Sequence, residues 1–246
     1  MTKTQKHSSK TSRTKSKTKS KSKTVSNHKE IYLIRHGQTD FNKMDMYQGQ
    51  EIDSLLNDEG RKQAEKTGKY LSEFRIKDKP FDCIYSSPMK RAKETCEIIS
   101  KEMDARTKIK FDDIFLEAKK GSNSGKTKEE TMKVVSEIKK EIGDPIEQYR
   151  VDIVKLLNDK MNIGAETDTE LTQRCMRIIN MIKKSKSKKI LIVSHSGTIF
   201  RLIKTIFNLN WTPMVDGGNC CITYITYSGG TKFKLESPPN TEHLKM

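Results

Sequence analysis

The hydrophobic positions of the chain fall into short continuous runs separated by longer amphipathic stretches. Three runs, at residues 31–35, 81–86 and 189–194, are bounded by polar or turn-forming residues. Short runs of this kind are typical of strands that are buried on both faces of a parallel sheet. Their alternation with helical stretches predicts an α/β fold, in which a mainly parallel sheet is flanked by helices on both faces.

Three stretches between or after these runs have the periodicity of amphipathic helices. Residues 57–74 begin at a candidate N-cap, Asn57, and residues 88–103 place Pro88 in their first turn, where proline is tolerated. A third helix is predicted over residues 169–183. Its apolar positions lie on one face: Leu171, Cys175, Ile178, Ile179 and Ile182.

Two parts of the chain depart from this alternation. Residues 224–227 and 232–235 flank a Ser-Gly-Gly turn and predict an antiparallel hairpin that closes the sheet. Residues 118–168 contain a polar loop at 121–125 and helical stretches that are interrupted at 143–145. We expect this segment to be a helical insertion that covers an edge of the sheet.

The positive charge of the chain is concentrated at its amino terminus. Residues 1–29 contain ten lysine or arginine residues and no acidic residue, and the net charge of the whole chain is +16. Because this tail has almost no apolar residue to bury, we expect it to be a disordered arm attached to one folded domain, residues 30–246. A solvated arm is the simplest interpretation, and weak non-specific contact with polyanions is the alternative.

The composition also bears on the cellular compartment. The sequence has no secretory h-region, and no stretch approaches the roughly 20 apolar residues of a membrane span. The cysteines are odd in number and form no C-x-x-C pair, which favours free thiols: Cys83, Cys96, Cys175, Cys220 and Cys221. We expect an intracellular, cytoplasmic protein without a membrane partner, with the nucleus as the alternative that the basic arm suggests.

Candidate chemical groups follow the predicted strands at their carboxyl ends. Arg35, His36 and Gly37 follow the first strand, Arg91 comes shortly after the second, and His195 follows the third. Ligands of parallel sheets bind beyond these strand ends, so the groups converge if the strands are neighbours. One histidine in such a place is most often structural, but two of them, each near a glycine that lets a ligand approach, favour a binding site.

Two histidines and two arginines would form a positive pocket matched to a phosphoryl group. The planar guanidinium group presents a fork of donors that fits phosphate oxygens. A neutral imidazole oriented by a backbone carbonyl can attack phosphorus and form a phosphohistidine. The sequence contains no Walker loop, no dinucleotide fingerprint and no metal-ligand spacing, so we expect neither a metal nor a cofactor.

Several motifs occur in an order that matches a known family. LIRHGQTDFN is followed by YQGQEIDSLLNDEGRKQAE, IYSSPMKRAKETCEII, FLEAKKGSNSG and ILIVSHSGTIFRLI, and the pattern closes with NCCITYITY and NTEHL. Together they resemble the motifs of the histidine phosphatase superfamily, whose members have a phosphoglycerate mutase-like fold. The resemblance extends over residues 30–244, which is nearly all of the folded part.

The resemblance implies roles for individual residues. His36 corresponds to the residue that is phosphorylated during turnover, and Glu117 lies where the family has its proton donor. Arg35, Arg91 and His195 correspond to the phosphate pocket and complete the implied catalytic set. The substrate-binding residues that the resemblance implies are Arg35, Gly37, Thr39, Asn42, Gln48, Gly49, Arg91, His195, Ser196 and Gly197.

Three positions depart from the family pattern. Leu55 stands where proline is common, Ser124 precedes Gly125 where Glu-Gly is frequent, and Ser196 replaces the first glycine of His-Gly-Gly. None of these changes removes a group assigned to the chemistry. The resemblance therefore implies an active enzyme.

The resemblance favours a phosphatase that acts on a small phosphorylated metabolite. Family mutases usually have Arg-His-Tyr-Gly after the donor glutamate and a longer insertion, whereas Glu117 is followed here by Ala-Lys-Lys-Gly. Phosphoglycerate mutase-type transfer is one alternative, and a non-catalytic module that binds phosphorylated ligands is the other. Lys119, Lys120, Lys126 and Lys128 would suit a polyanionic substrate, although a solvated basic loop is the simpler explanation.

Overall fold

The computed structural model of the chain describes residues 1–2, 27–75, 80–142, 164–209 and 217–246. The predicted disordered arm falls almost wholly on residues 3–26, and the second part of the predicted insertion falls on residues 143–163. Both predictions lie outside the described residues.

Six strands form one sheet, and every strand predicted from the sequence belongs to it. The strands are β1 (Lys29–Arg35), β2 (Cys83–Ser86), β3 (Ile109–Phe111), β4 (Lys189–Ser194), β5 (Ile222–Tyr227) and β6 (Phe233–Asn240). Their order is β3-β2-β4-β1-β5-β6. Strands β1 to β4 pair in parallel, and β5 and β6 form the predicted antiparallel hairpin at one edge. The hydrophobic pattern misses β3, because its three residues are too few and too exposed to form an apolar run.

Helices cover both faces of the sheet, as the sequence predicts. The α-helices of the described residues are α1 (Asp40–Lys43), α2 (Asp58–Tyr70), α3 (Lys90–Glu102), α4 (Lys128–Ile142), α5 (Asp168–Lys184) and α6 (Ser196–Phe207). Along β1, Ile31 and Leu33 face a core covered by α5 and α6, whereas Tyr32 and Ile34 face a core covered by α2 and α3. This alternation explains why the strand is apolar at four consecutive positions, residues 31–34.

Two of the predicted helices are confirmed in detail. The side chain of Asn57 caps α2 and accepts a hydrogen bond from the Gly60 backbone N–H at 2.9 Å. A π-helical turn, Leu71–Arg75, then extends α2 to about its predicted end. The apolar face predicted over residues 169–183 is buried in α5 at all five positions.

Helix α3 begins later than the sequence predicts. Pro88 does not lie in its first turn, because Met89 remains extended and Lys90 is the first helical residue. The backbone N–H of Lys90 donates to Oδ1 of Asp53 at 2.7 Å, although Asp53 belongs to a distant loop. A tertiary contact therefore helps to set this helix start.

The described part of the insertion is tied to the loop that follows β1. The backbone N–H of Lys128 donates to the Asp45 carbonyl at 3.1 Å, and Met46 forms a β-bridge with Thr127. We expected this segment to cover a sheet edge. Residues 125–128 satisfy backbone groups of Asp45 and Tyr47, and the covering of a sheet edge by this segment stays a prediction.

Two expectations from composition concern the whole domain. All five cysteines are buried free thiols, as their number and spacing predict. Among the described residues, no helix is both long enough and apolar enough to span a bilayer.

Candidate active site

The topology brings the two strand-end histidines together. Strands β1 and β4 are neighbours, and their register pairs Arg35 with Ser194, so the residues that follow each strand are adjacent. The ring centroids of His36 and His195 are 5.1 Å apart. Both rings are almost fully buried, at 3% and 0% exposure.

Backbone and charge together define the state of His36. Its Nδ1 lies 2.7 Å from the carbonyl oxygen of Gly37. Since a carbonyl only accepts, Nδ1 carries the proton and Nε2 presents a lone pair. Burial, reinforced by the charges of Arg91 and Arg35, holds the pKa of His36 well below its ordinary value of 6.5. The ring is therefore neutral near pH 7, with Nε2 available as a nucleophile.

His195 is held by the strand end after β2. Its Nε2 lies 2.8 Å from Oγ of Ser87, while its buried Nδ1 has no hydrogen-bond partner among the described residues. Burial, followed by the charges of Arg91 and His36, lowers the pKa of His195 well below the ordinary value. A buried polar atom without a protein partner is suited to contact a ligand.

Arg91 links His36 to the loop that follows β1. Its Nε lies 3.3 Å from Nε2 of His36, and its terminal nitrogens donate to the carbonyls of Ile52 and Gly49 at 2.9 and 2.8 Å. The side chain is only 1% exposed. Because a guanidinium group has five N–H donors, two remain available for a bound anion.

The carboxylate of Glu117 rests on the first turn of α6. It accepts hydrogen bonds from the backbone N–H groups of Ala118 at 2.8 Å, and of Gly197 and Thr198 at 3.2 Å each. A Cβ atom at Gly197 would lie only 2.6 Å from Oε1 of Glu117. The glycine at this position thus makes room for the carboxylate.

These residues surround one cavity of about 280 Å³. We call three of its buried lining residues, His36, Arg91 and Glu117, the pocket floor. We call the more exposed residues Asp45, Tyr47, Lys120 and Lys128 the pocket mouth. The complete lining is Arg35, His36, Asn42, Asp45, Met46, Tyr47, Gln48, Gly49, Arg91, Glu117, Lys120, Lys128, Ser196, Gly197, Gly218 and Asn219.

Nine of the twelve predicted site residues line this cavity, and the structure positions the others behind it. His195 lies next to His36, as described above. Thr39 is fully buried, where its hydroxyl caps α1 and accepts a hydrogen bond from Nε2 of Gln48 at 2.9 Å. Thr39 therefore orients a lining residue and does not itself line the cavity.

We expected the glycine at Gly37 to let a ligand approach, but the structure shows a different reason for a glycine there. A Cβ atom there would lie 2.5 Å from the backbone oxygen of Gly60 in α2. Its backbone N–H donates to Oγ1 of Thr95 in α3 at 2.9 Å. The missing side chain thus allows the close packing of this segment against α2 and α3.

Several lining residues were not singled out from the sequence. Asn219 donates from Nδ2 to the carbonyl of His36 and to Oδ1 of Asn42, both at 3.1 Å. It is the first residue of the NCCITYITY motif, and this position in the motif is the signal that identifies it. Ser124, which departs from the family pattern, donates from its hydroxyl to the Gln48 carbonyl at 2.6 Å. This bond holds the backbone next to Tyr47 of the pocket mouth.

The pocket mouth is built from paired charges and an aromatic ring. Lys120 lies over the ring of Tyr47, with Nζ 5.4 Å from the ring centroid, and Lys128 forms an ion pair with Asp45.

Among the described residues, no group of three or more histidine, cysteine or acidic side chains is arranged to hold a metal ion.

The fold and the site define an α/β protein with a pocket lined by arginine and lysine side chains at the carboxyl ends of its parallel strands. The chain belongs to the histidine phosphatase superfamily (branch 1), whose family model matches residues 31–238. It is accordingly a phosphatase.

Named relatives agree with this assignment. The chain is 32% identical over 219 residues to an uncharacterized phosphatase, PhoE, of Bacillus subtilis, covering 87% of this chain and 96% of that protein. It is 31% identical over 171 residues to a metal-independent phosphoserine phosphatase of Arabidopsis thaliana, covering 69% of this chain and 65% of that one. Phosphoglycerate mutase from Bacillus anthracis has the same fold, with a TM-score of 0.74 at 22% identity over 89% of this chain and 96% of that one.

Proposed function

We propose that the protein hydrolyses phosphomonoesters of small metabolites through a phosphohistidine on His36, without a metal ion. The observation that carries this proposal is the neutral, buried His36, whose Nδ1 is bonded to a backbone carbonyl and whose Nε2 lies 3.3 Å from Nε of Arg91. A nucleophile with its lone pair beside a guanidinium group is suited to an anionic phosphoryl group.

In the first step, the Nε2 lone pair of His36 attacks phosphorus and the P–O ester bond breaks. Arg35, Arg91 and His195 stabilise the charge on the equatorial oxygens. The leaving alkoxide takes a proton from Glu117, whose carboxyl group lines the same cavity. The Nδ1–H bond to Gly37 stabilises the positive charge that develops on the imidazole ring.

In the second step, water attacks the phosphohistidine and the P–N bond breaks. The carboxylate of Glu117 accepts the proton of the attacking water, which restores the neutral His36 and a protonated carboxyl group. Inorganic phosphate then leaves, and the site is ready for another substrate. Glu117 therefore serves as acid in one half-reaction and as base in the other.

The size and chemistry of the cavity support a small substrate. A volume of about 280 Å³ is just below the usual range for ligand pockets, and the lining is rich in charged and amide groups. The name of the metal-independent phosphoserine phosphatase relative supports chemistry without a metal.

Trapping the intermediate tests the proposal directly. The full-length protein is mixed with a ³²P-labelled phosphomonoester in the presence of EDTA and denatured in base. We expect label that survives base and is lost in acid, as is typical of phosphohistidine, and no label on H36A. His28→Ala, which removes an exposed histidine outside the pocket lining, serves as the matched control and should retain both label and turnover.

The outcomes separate the alternatives. Label on H36A, or acid-stable label, would contradict the nucleophile assignment. Tight binding of a phosphorylated ligand with neither label nor released phosphate would support a non-catalytic binding module. Transfer of the label to a second hydroxyl compound, in preference to water, would support the mutase reaction.

A further inference from the structure

A largely buried guanidinium group, 11% exposed, lies directly behind Glu117. Arg174, from α5, donates from Nη1 to the carbonyls of Ile114 and Leu116 at 3.1 and 2.6 Å. Its Nη2 donates to the carbonyl of Glu117 itself at 3.3 Å. One side chain thus binds three backbone carbonyls of the segment that carries the proposed proton donor.

A carboxylate fixes the orientation of this guanidinium group. Glu166 accepts from Nε and Nη2 of Arg174 at 3.0 and 2.7 Å, which forms a two-point pair. Both side chains are only 11% exposed. A bidentate pair with this burial is far more rigid than an exposed ion pair, so the fork has little rotational freedom.

The same arrangement reaches the helix that receives the Glu117 carboxylate. Nη1 of Arg174 lies 3.4 Å from Oγ1 of Thr198, and that hydroxyl donates to the Leu116 carbonyl at 2.6 Å. The backbone N–H of Thr198 in turn donates to Oε1 of Glu117. Arg174 therefore fixes both the backbone of Glu117 and the helix turn on which its carboxylate rests.

We infer that Arg174, held by Glu166, is a positioning residue for proton transfer by Glu117. This inference rests on the proposed function, because it assumes that Glu117 protonates the leaving group. Arg174 does not line the cavity, so we assign its effect on proton transfer to its contacts with the Glu117 segment and not to contact with a ligand. Lysine cannot replace it, since a single ammonium group cannot pair with Glu166 in a fork and still reach the carbonyls around Glu117.

Two substrates with different leaving groups test this role. Glycerol 2-phosphate releases an alkoxide that needs a proton, whereas p-nitrophenyl phosphate releases a phenolate that is stable as an anion. The parameter kcat/KM reports formation of the phosphoenzyme, which is the step that contains this proton transfer. A purely structural defect would lower kcat/KM for both esters by the same factor.

We expect R174K to lower kcat/KM for glycerol 2-phosphate about tenfold or more, and to change the value for p-nitrophenyl phosphate by less than about threefold. E117Q should give the same selective loss with a larger magnitude. Arg177→Lys, an exposed arginine on the same helix, is the matched control and should leave both substrates unaffected.

The double variant R174K/E117Q sharpens the test. If Arg174 acts through Glu117, the second substitution adds little selective loss once Glu117 is replaced. If R174K does not fold, E166Q provides the same comparison by loosening the fork. An equal loss of kcat/KM for both esters in R174K would overturn the inference and leave the role of Glu117 intact. The same holds for E166Q if that variant is used in place of R174K. The absence of selective loss in E117Q itself would overturn both.

Discussion

The pocket floor and the pocket mouth both carry positive charge, but they hold it by different means. At the floor, Arg91 is 1% exposed and donates to two backbone carbonyls. At the mouth, the side chain of Lys128 is 52% exposed and pairs with Asp45, while Lys120 lies over the ring of Tyr47.

This difference has consequences for energetics. Charges at the floor interact in a medium of low dielectric constant and are weakly screened by salt, whereas charges at the mouth are screened by water and ions. Flexible exposed ion pairs contribute about 0–1 kcal/mol. We therefore expect floor substitutions to affect the chemical step and mouth substitutions to affect substrate binding modestly.

The largest expected effect comes from a methyl group placed at the floor. In G197A the new Cβ would lie 2.6 Å from Oε1 of Glu117, so the carboxylate must move. We expect kcat/KM for an alkyl phosphomonoester to fall roughly 10- to 100-fold, which is part of the effect of a general acid. Stability should change little, because alanine is favourable in a helix and the displaced atom ends a flexible side chain.

The control for this variant is a second glycine, which faces rigid backbone atoms where Gly197 faces the end of a flexible side chain. In G37A the new Cβ would lie 2.5 Å from the backbone oxygen of Gly60, which cannot move without shifting α2. We expect a loss of stability of about 1–3 kcal/mol, measured by urea unfolding. Full activity of G197A, or a large loss of its stability, would contradict the role assigned to the space at this position.

A smaller effect concerns the pH dependence of the floor. His36 must be neutral to attack, and its pKa is held well below 6.5 by burial first and by Arg91 and Arg35 next. The acid limb of kcat/KM should therefore lie below pH 6.5, since protonation inactivates the nucleophile only there. In R35Q one of the positive charges is lost, so the pKa of His36 should rise and the acid limb should shift to higher pH.

Burial is the larger cause and is unchanged in R35Q, so the shifted limb should still lie below pH 6.5. The profile is measured for both proteins with one substrate, which cancels the titration of the substrate itself. Circular dichroism at each pH excludes acid unfolding as the cause. A shift to lower pH in R35Q would show that Arg35 does not act on His36 by its charge.

The floor and the mouth also differ in how far each could be predicted from the sequence. The floor follows strand ends, and strands buried on both faces leave a clear apolar pattern. His36, Arg91 and His195 could thus be identified together, and Glu117 through its motif. The tautomer of His36, by contrast, depends on a 2.7 Å contact with Gly37 that no sequence pattern encodes.

Of the mouth, the sequence indicated only the lysines Lys120 and Lys128, because long-range backbone contacts bring them together with Asp45 and Tyr47. The β-bridge between Met46 and Thr127 joins segments that are distant in sequence and have no hydrophobic periodicity in common. The start of α3 was likewise not predictable, because it depends on a contact between the backbone of Lys90 and the side chain of Asp53, which are distant in sequence. The sequence also does not identify Arg174 as a residue near the site, since one arginine on the polar side of an amphipathic helix has no distinctive spacing.

The smallest expected effect is at the mouth and tests its share in substrate binding. In K120M the side chain keeps most of its apolar stem but loses the ammonium group, and with it both the charge and the cation–π contact with Tyr47. We expect KM for a substrate with a second anionic group to rise about two- to fivefold, with kcat unchanged, because a half-exposed cation contributes less than about 1 kcal/mol. The difference between K120M and the native protein should shrink as salt is raised from 50 to 500 mM, since screening removes the same interaction.

A loss of kcat in K120M would mean that the mouth takes part in the chemical step, and the division between floor and mouth would then be wrong. Lys128→Met is the internal comparison, because its charge is already neutralised by Asp45. Its effect on KM should be smaller than that of K120M. An equal effect from both lysines would indicate that net charge at the mouth, rather than the position of Lys120 over Tyr47, attracts the substrate.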